Sequence, residues 1–251
     1  MQLTLRGRRD ERQDELVVVA LPHAGAVGAP LGALRRALGP AVSVVAPEYP
    51  GHGMRVGDAP LTDPEHLVDA LVETLRLLPL ARTVLLGISM GARVAYEVSR
   101  RLLELGYPPA GLICCVSRAP HTGIGHPPLA ALPPDEFAEA ATRLGLLAPG
   151  VLGIPEAAEL VRALQADLEI LERMPPCSPH RVPVRSAVIG ARGDWLVPES
   201  SLRAWGEVMV GPVLQLRLPG GHLDWLGMTG DAADTLRRAW RHVTPLAADD
   251  G

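Results

Sequence analysis

The stretch Thr83-Val84-Leu85-Leu86-Gly87-Ile88-Ser89-Met90-Gly91-Ala92 decides the fold prediction. Its first six residues are mostly apolar and predict a buried strand over residues 83–88. After the turn, apolar residues recur at helical spacing to residue 105, and Gly106 then ends the helix. A buried strand that passes directly into an amphipathic helix is typical of an α/β protein.

The alternation of strand and helix extends in both directions from this stretch. Further strands are predicted at residues 16–21, 42–46, 111–116, 184–189 and 213–218, and further helices at residues 31–38, 64–78 and 232–243. Because the alternation repeats, we predict an α/β fold with a mostly parallel sheet and helices on both faces.

The alternation is interrupted between residues 120 and 183. This segment is rich in proline, offers no good strand, and shows helical patterns at residues 134–147 and 155–173. We interpret residues 120–183 as a helical insertion on the sheet. The chain is therefore predicted to be one domain, with a core formed by residues 1–119 and 184–251.

The composition excludes several classes of function. All 24 basic residues of the 251-residue chain are arginine, so a Schiff-base lysine, a Ser-Lys dyad and a phosphate-loop lysine are excluded. The net charge of -4 does not suit a nucleic-acid-binding protein.

Cysteine usage and hydropathy indicate the compartment. Three cysteines cannot make a disulfide framework or a tetrahedral cysteine metal site, and Cys114 and Cys115 are expected in the core. Residues 16–34 carry no charge, but prolines and glycines interrupt them and acidic residues precede them. We therefore expect neither a membrane helix nor a signal peptide, and predict a cytoplasmic protein.

The motif Gly87-Ile88-Ser89-Met90-Gly91 matches the nucleophile elbow, G-x-S-x-G. Side chains two residues from the serine on either side would clash in so tight a turn, which explains the two glycines. The turn lifts the serine hydroxyl clear of the sheet and places it at a helix N-terminus, where N–H groups face a developing negative charge. Ser89 is therefore the candidate nucleophile.

A serine nucleophile needs a histidine base and an acid that orients it, and in this fold they follow the serine in the order acid, then histidine. His222 comes just after the last predicted strand, whereas its rival His242 lies in the terminal helix. Asp194 follows the strand that ends at residue 189, on the same edge of the sheet. The rival acid Asp224 shares the histidine's own short loop and is poorly placed to reach the outer ring nitrogen.

The oxyanion hole of such a site uses two backbone N–H groups. One is expected from Met90, the residue after the nucleophile, and the other from the loop Pro22-His23-Ala24-Gly25, where we choose Ala24. His23 precedes the nucleophile, against the usual order. We therefore expect it to fix the loop rather than to act as a base.

Taken together, these motifs resemble the type II thioesterases, stand-alone α/β-hydrolases that accompany polyketide synthases and nonribosomal peptide synthetases. The resemblance covers residues 16–243. Its motifs are Leu21-Pro22-His23-Ala24-Gly25, Tyr49-Pro50-Gly51-His52-Gly53-Met54-Arg55, Gly87-Ile88-Ser89-Met90-Gly91-Ala92, Ala95-Tyr96-Glu97, Ser117-Arg118-Ala119-Pro120 and Pro219-Gly220-Gly221-His222.

The resemblance implies an α/β-hydrolase fold whose insertion, residues 120–183, is a lid over an acyl pocket. It implies hydrolysis of acyl thioesters on the phosphopantetheine arm of acyl or peptidyl carrier proteins, to remove stalled or misprimed chains. By position it makes Ser89, Asp194 and His222 the triad, with Ala24 and Met90 as the oxyanion hole. We expect no metal or other cofactor, no nucleic-acid or membrane partner, and a monomer.

The chain departs from the family pattern at Ile88, Leu223 and Met174, where histidine, phenylalanine and tyrosine are usual, and Leu164-Gln165-Ala166-Asp167 resembles the family's Arg-Ala-Asp lid segment. With one phenylalanine in the chain, the acyl pocket is predicted to be mostly aliphatic.

Several alternatives remain open at this point. The same triad serves a cyclase, an acyltransferase or a small-ester esterase, and a carrier-binding protein without activity would share the fold. Arg55, Arg118 and Arg192 are the candidate arginines for docking a carrier protein.

Overall fold

The computed structural model describes residues 3–8, 16–148, 150–175 and 181–244. The strands are β1 Thr4–Arg8, β2 Leu16–Leu21, β3 Val42–Glu48, β4 Thr83–Ile88, β5 Gly111–Cys115, β6 Arg185–Ala191 and β7 Val213–Leu218. The helices are α1 Leu31–Leu38, α2 Pro64–Leu75, α3 Met90–Glu104, α4 Pro134–Arg143, α5 Ala157–Arg173, α6 Glu199–Arg203, α7 Trp205–Val208 and α8 Asp231–Val243.

Within the described residues the strands form a seven-stranded sheet in the order β1-β3-β2-β4-β5-β6-β7. Strand β1 runs antiparallel to β3, and the other neighbouring strands are parallel. The predicted α/β class and mostly parallel sheet are confirmed.

The sheet is buried on both faces, as parallel sheets usually are. On β2, Val17 and Val19 belong to the apolar cluster that includes α2 and α3, whereas Val18 and Ala20 belong to the cluster on the opposite face, which includes α1 and α8. This alternation follows from the period of two along a strand. The two faces are thus covered by different helices, as predicted.

Strand β1 was not predicted, because its residues Thr-Leu-Arg-Gly-Arg lack an apolar run. It pairs at the edge of the sheet with β3, from Thr4 opposite Glu48 to Arg8 opposite Val44. A side chain at Gly7 would overlap the carbonyl oxygen of Val44, so glycine permits this close approach. The short helices α6 and α7, between β6 and β7, were also not predicted.

Helices α4 and α5 lie between β5 and β6, within the predicted insertion. They share an apolar cluster of their own around Phe137, and Ala24, Leu146 and Leu171 pack against both this cluster and the sheet core. The division of the chain at residues 119 and 183 remains a prediction.

Two of the three cysteines lie in the core, as expected from the sequence. Cys114 and Cys115 are buried on β5, and burial raises the pKa of both thiols. Cys177 lies outside the described residues. None of the described helices is long and apolar enough to cross a membrane.

Candidate active site

The loops that follow β2, β4, β6 and β7 meet at the carboxyl edge of the sheet, where parallel α/β sheets usually bind ligands. They open onto a cleft that is continuous with solvent. The lining residues are His23, Ala24, Ser89, Met90, Arg93, Val116, Ser117, Arg118, Gly123, Ile124, His126, Gly145, Leu146, Leu164, Leu168, Leu171, Leu196, Val197, His222 and Leu223.

Ser89 lies on the tight turn between β4 and α3. Its backbone is strained, with φ 53° and ψ -115°, a region that non-glycine residues rarely occupy. The turn is held because the Ser89 N–H donates to the carbonyl of Cys115 on β5, at 2.8 Å. Side chains at Gly87 and Gly91 would overlap Ala92 and the carbonyl of Leu21, respectively. The elbow therefore has the steric basis that the motif predicts.

The structure brings Ser89, His222 and Asp194 into one hydrogen-bonded chain. His222 Nε2 lies 2.9 Å from Ser89 Oγ, and His222 Nδ1 lies 2.7 Å from Asp194 Oδ2. The Asp194 side chain is fully buried, and its Oδ1 accepts from the N–H of Leu196 at 3.0 Å. A buried carboxylate with both oxygens bonded can hold the imidazole in one orientation.

The rival residues lie elsewhere. Asp224 is exposed and accepts a hydrogen bond from the N–H of Gly221 at 2.6 Å, so it stabilises the turn of the histidine loop. His242 is on α8 near the end of the helix, outside the residues that line the cleft.

The two candidate oxyanion-hole residues, Ala24 and Met90, both line the cleft. Met90 is the first residue of α3, where backbone N–H groups have no partner inside the helix. Ala24 lies in a turn in which the Ala26 N–H donates to the carbonyl of His23, at 3.2 Å. His23 Nδ1 lies 2.9 Å from the carbonyl oxygen of Ala24. Burial lowers the pKa of His23, which favours a neutral ring that fixes this loop.

Comparison with known proteins identifies the family. The sequence profile of the Thioesterase domain family matches residues 17–240. The chain belongs to the thioesterase domain family. It is 29% identical over 233 residues to a protein of Streptomyces griseus called "Probable cadicidin biosynthesis thioesterase". That match covers 92% of this chain and 64% of the relative's length.

Solved structures of thioesterases have the same fold. RedJ, a thioesterase from the prodiginine pathway of Streptomyces coelicolor, is 29% identical with a TM-score of 0.77, over 89% of this chain and 84% of RedJ. The type II thioesterase BorB from the borrelidin cluster is 26% identical with a TM-score of 0.78, over 94% and 96% of the two chains. The resemblance to type II thioesterases and the α/β-hydrolase fold are confirmed.

The lining of the cleft is mainly aliphatic, with leucines from the insertion, the β6 loop and the β7 loop. Among the described residues, none that lines the cleft is phenylalanine, tyrosine or tryptophan, and Phe137 is buried inside the α4–α5 cluster. Arg93 and Arg118 add positive charge to the wall. Sequence reasoning did not anticipate Arg93 there, although its position one turn into α3 places it near the elbow.

The three candidate docking arginines have different surroundings. Arg118 lines the cleft and donates to the carbonyls of Leu196 and Thr122, both at 3.2 Å. Arg55 is paired with Asp58 at 2.7 Å, and Arg192 is exposed in the loop after β6.

Sequence reasoning gave no role to Asp167 and His52, which lie beside the Pro22-His23-Ala24-Gly25 loop. Asp167 Oδ2 accepts from the N–H of Gly25 at 2.8 Å and lies 3.0 Å from His52 Nε2. The sequence contains a signal for the burial of Asp167, because this residue falls at helical spacing between Leu164 and Leu171, on the apolar face of α5. A carboxylate on such a face is buried and must find donors there.

Proposed function

We propose that this protein hydrolyses acyl thioesters carried on the phosphopantetheine arm of carrier proteins in polyketide or nonribosomal peptide biosynthesis. The observation that supports this most is the hydrogen-bonded chain from Ser89 through His222 to the buried Asp194 on the wall of an apolar cleft. The family membership and the similarity to biosynthetic thioesterases support the substrate class.

In this proposal Ser89 Oγ attacks the thioester carbonyl while His222 Nε2 takes its proton. Asp194 stabilises the resulting imidazolium. The N–H groups of Ala24 and Met90 donate to the oxyanion of the tetrahedral intermediate. Collapse breaks the C–S bond, and His222 returns the proton to the departing thiol. A water then attacks the acyl-serine by the same steps and releases the free acid.

The aliphatic cleft favours a hydrophobic acyl chain, with the α4–α5 insertion as the lid over it. Leu164, Leu168 and Leu171, all on α5, form the lid side of this pocket. Removal of stalled or misprimed chains is the role we propose, with the protein acting in the cytoplasm as a monomer. The proposed docking surface for the carrier protein is the sheet edge onto which the cleft opens, and Arg192 is exposed in the loop after β6 at that edge.

The substrate class is tested by kcat/KM for one acyl group on a carrier protein and on coenzyme A, across a salt series. We expect the carrier to be preferred, and the preference to shrink as salt rises, because charge pairs at the rim of an interface mainly accelerate association. Equal values at every salt concentration would favour a small-ester esterase.

The reaction type is tested by mass analysis of the product. Hydrolysis gives the free acid, and Ser89→Ala should give none. A ring formed from the acyl chain would identify a cyclase, and an acyl group on an added acceptor would identify a transferase. Either outcome would replace hydrolysis while leaving the role of Ser89 intact.

A further inference from the structure

The carboxylate of Asp167 connects the lid helix α5 to the loop that follows β2. Asp167 is 2% exposed, and its Oδ2 lies 2.8 Å from the N–H of Gly25 and 3.0 Å from His52 Nε2. His52 is also buried, and its Nδ1 lies 3.0 Å from the carbonyl oxygen of Pro50. Two buried side chains and the backbone N–H of Gly25, from three separate segments, therefore meet at the Asp167 carboxylate.

The partners of His52 indicate its charge. A carbonyl and a carboxylate are both acceptors, so each ring nitrogen faces an acceptor and the doubly protonated ring satisfies both. Burial alone would lower the pKa of His52, but the hydrogen bond and charge of Asp167, with the Pro50 carbonyl, raise it overall. Asp167 is thus held in place by a buried ion pair with His52, and in this position its Oδ2 accepts the hydrogen bond from the Gly25 N–H.

The peptide unit between Ala24 and Gly25 is fixed on both sides. Its N–H donates to Asp167, and its carbonyl accepts from His23 Nδ1 at 2.9 Å. Because a peptide unit is planar, these two bonds fix its orientation. The neighbouring unit, between His23 and Ala24, contains the proposed oxyanion-hole N–H, and its carbonyl accepts from Ala26.

Helix α5 also touches this loop directly. A Cβ at Gly25, where φ is +70°, would lie 3.0 Å from Leu164 Cβ, so glycine allows both the turn and the close approach of the helix. Leu164 and Asp167 are three residues apart and share one face of the helix. The helix therefore presents a packing contact and a hydrogen bond to the same peptide unit.

We propose that Asp167 is a positioning residue for the oxyanion hole: supported by His52, it orients the Ala24–Gly25 peptide and thereby the Ala24 N–H. The oxyanion hole is complete only while α5 is seated on this loop. This inference rests on the proposed function, through the role given to Ala24.

The test compares Asp167→Ala and Asp167→Asn with matched variants of Glu172. Glu172 is a carboxylate on the same helix that also accepts from backbone N–H groups, those of Leu129 at 2.7 Å and Ala130 at 3.2 Å, but these belong to the lid. We expect Asp167→Ala to lower kcat about 10- to 100-fold with KM within about threefold, because misplaced donors weaken binding of the transition state alone. Glu172→Ala should keep kcat within about threefold of the wild type.

Two further readouts separate positioning from general stability. A trifluoromethyl ketone analogue, whose adduct with Ser89 has an oxyanion, should bind Asp167→Ala more weakly by the same factor as the loss in kcat. Amide hydrogen exchange at Gly25 should accelerate in Asp167→Ala and not in Glu172→Ala. If Asp167→Ala fails to fold, Asp167→Asn, which has the same shape, is expected to lose about tenfold in kcat with the matched control Glu172→Gln unaffected.

The outcomes distinguish the inference from the proposed function. Thioesterase activity that survives Ser89→Ala would overturn the proposed function. An inactive Ser89→Ala with Asp167 variants that match the Glu172 variants would overturn the inference alone. A rise confined to KM, or unchanged exchange at Gly25, would also overturn it, since α5 would then act only as a wall of the cleft.

Discussion

His222 Nδ1 lies 2.7 Å from Asp194 Oδ2, although 28 residues separate the two in the sequence. The contact exists because β6 and β7 are parallel neighbours, paired from Ser186 opposite Val213 to Ala191 opposite Leu218. The two loops at their carboxyl ends are joined further by the Gly193 N–H, which donates to the carbonyl of Gly220 at 2.8 Å. The acid and the histidine are therefore held by the sheet.

This arrangement predicts that Asp194→Asn is far more damaging than Asp224→Asn. An amide at position 194 can no longer stabilise the imidazolium, and in a serine protease the corresponding change costs about 10⁴ in kcat. Asp224 only caps a turn through Gly221. The measurement is kcat for both variants with an acyl-carrier substrate, and a larger loss in Asp224→Asn would show that the wrong acid was chosen.

Ser89→Ala should abolish turnover and leave the fold intact. Loss of a triad nucleophile typically costs on the order of 10⁶ in kcat. His222→Ala alone should lose about as much, and adding it to Ser89→Ala should cause little further loss, because the two residues act as a unit. The wild-type protein should take up one phosphonyl group per chain, on Ser89, as read by intact and peptide mass. Ser200→Ala, which removes an exposed serine, is the matched control and should label like the wild type.

Gly91→Ala should damage both stability and catalysis. The added methyl group would overlap the carbonyl of Leu21 at the end of β2, next to the Ala24 loop, so the helix or the loop must move. Overpacking of this kind typically costs roughly 1–3 kcal/mol. Gly206→Ala is the control, because a Cβ there meets nothing within 4 Å. Urea unfolding and kcat are measured on both, and equal stability of the two variants would contradict the steric argument.

The buried pair of His52 and Asp167 predicts a pH-dependent contribution to stability. The pKa of His52 is raised above its ordinary value of 6.5, so the folded protein keeps this proton to higher pH than the unfolded chain. The stabilisation is therefore complete below about pH 6.5 and is lost as pH rises through the raised pKa. The groups that face the ring are Asp167, the Pro50 carbonyl and the nearly perpendicular ring of Tyr49.

The measurement is the free energy of unfolding of the wild type and of His52→Gln from pH 5 to pH 9. The difference between the two should be largest at low pH and decline above pH 6.5. The effect of His23 on stability has the opposite pH dependence. Burial lowers the pKa of His23, so protonation of this ring below about pH 6.5 favours the unfolded chain. A difference that grows with rising pH would show that His52 is neutral in the folded protein.

Much of the fold could be predicted because its signals are local. Alternating strands and helices, the glycines of the elbow and the helix stop at Gly106 each depend on neighbouring residues only. Strand β1 escaped prediction because it has no apolar run of its own and pairs with β3, which is far along the chain. The short helices α6 and α7 are likewise held by packing, with Trp205 buried against Tyr96 of α3.

The sequence by itself determined that Ser89, Asp194 and His222 would come to one edge of the sheet. The physical reason is topological: loops that follow parallel strands emerge at the carboxyl edge, whatever their order in the chain. It also placed the elbow serine, because so tight a turn between a strand and a helix requires a glycine two residues before the serine and another two residues after it.

Only the tertiary structure decided how these parts are held. Asp194 and Asp224 both follow predicted strands at the same edge, and the adjacency of β6 and β7 directs Asp194 to the histidine while leaving Asp224 in solvent. The link from Asp167 to Gly25 and His52 spans 142 and 115 residues, respectively. The helical spacing around Asp167 indicates a buried carboxylate but not its partners, because these are set by the packing of α5 on the Pro22-His23-Ala24-Gly25 loop.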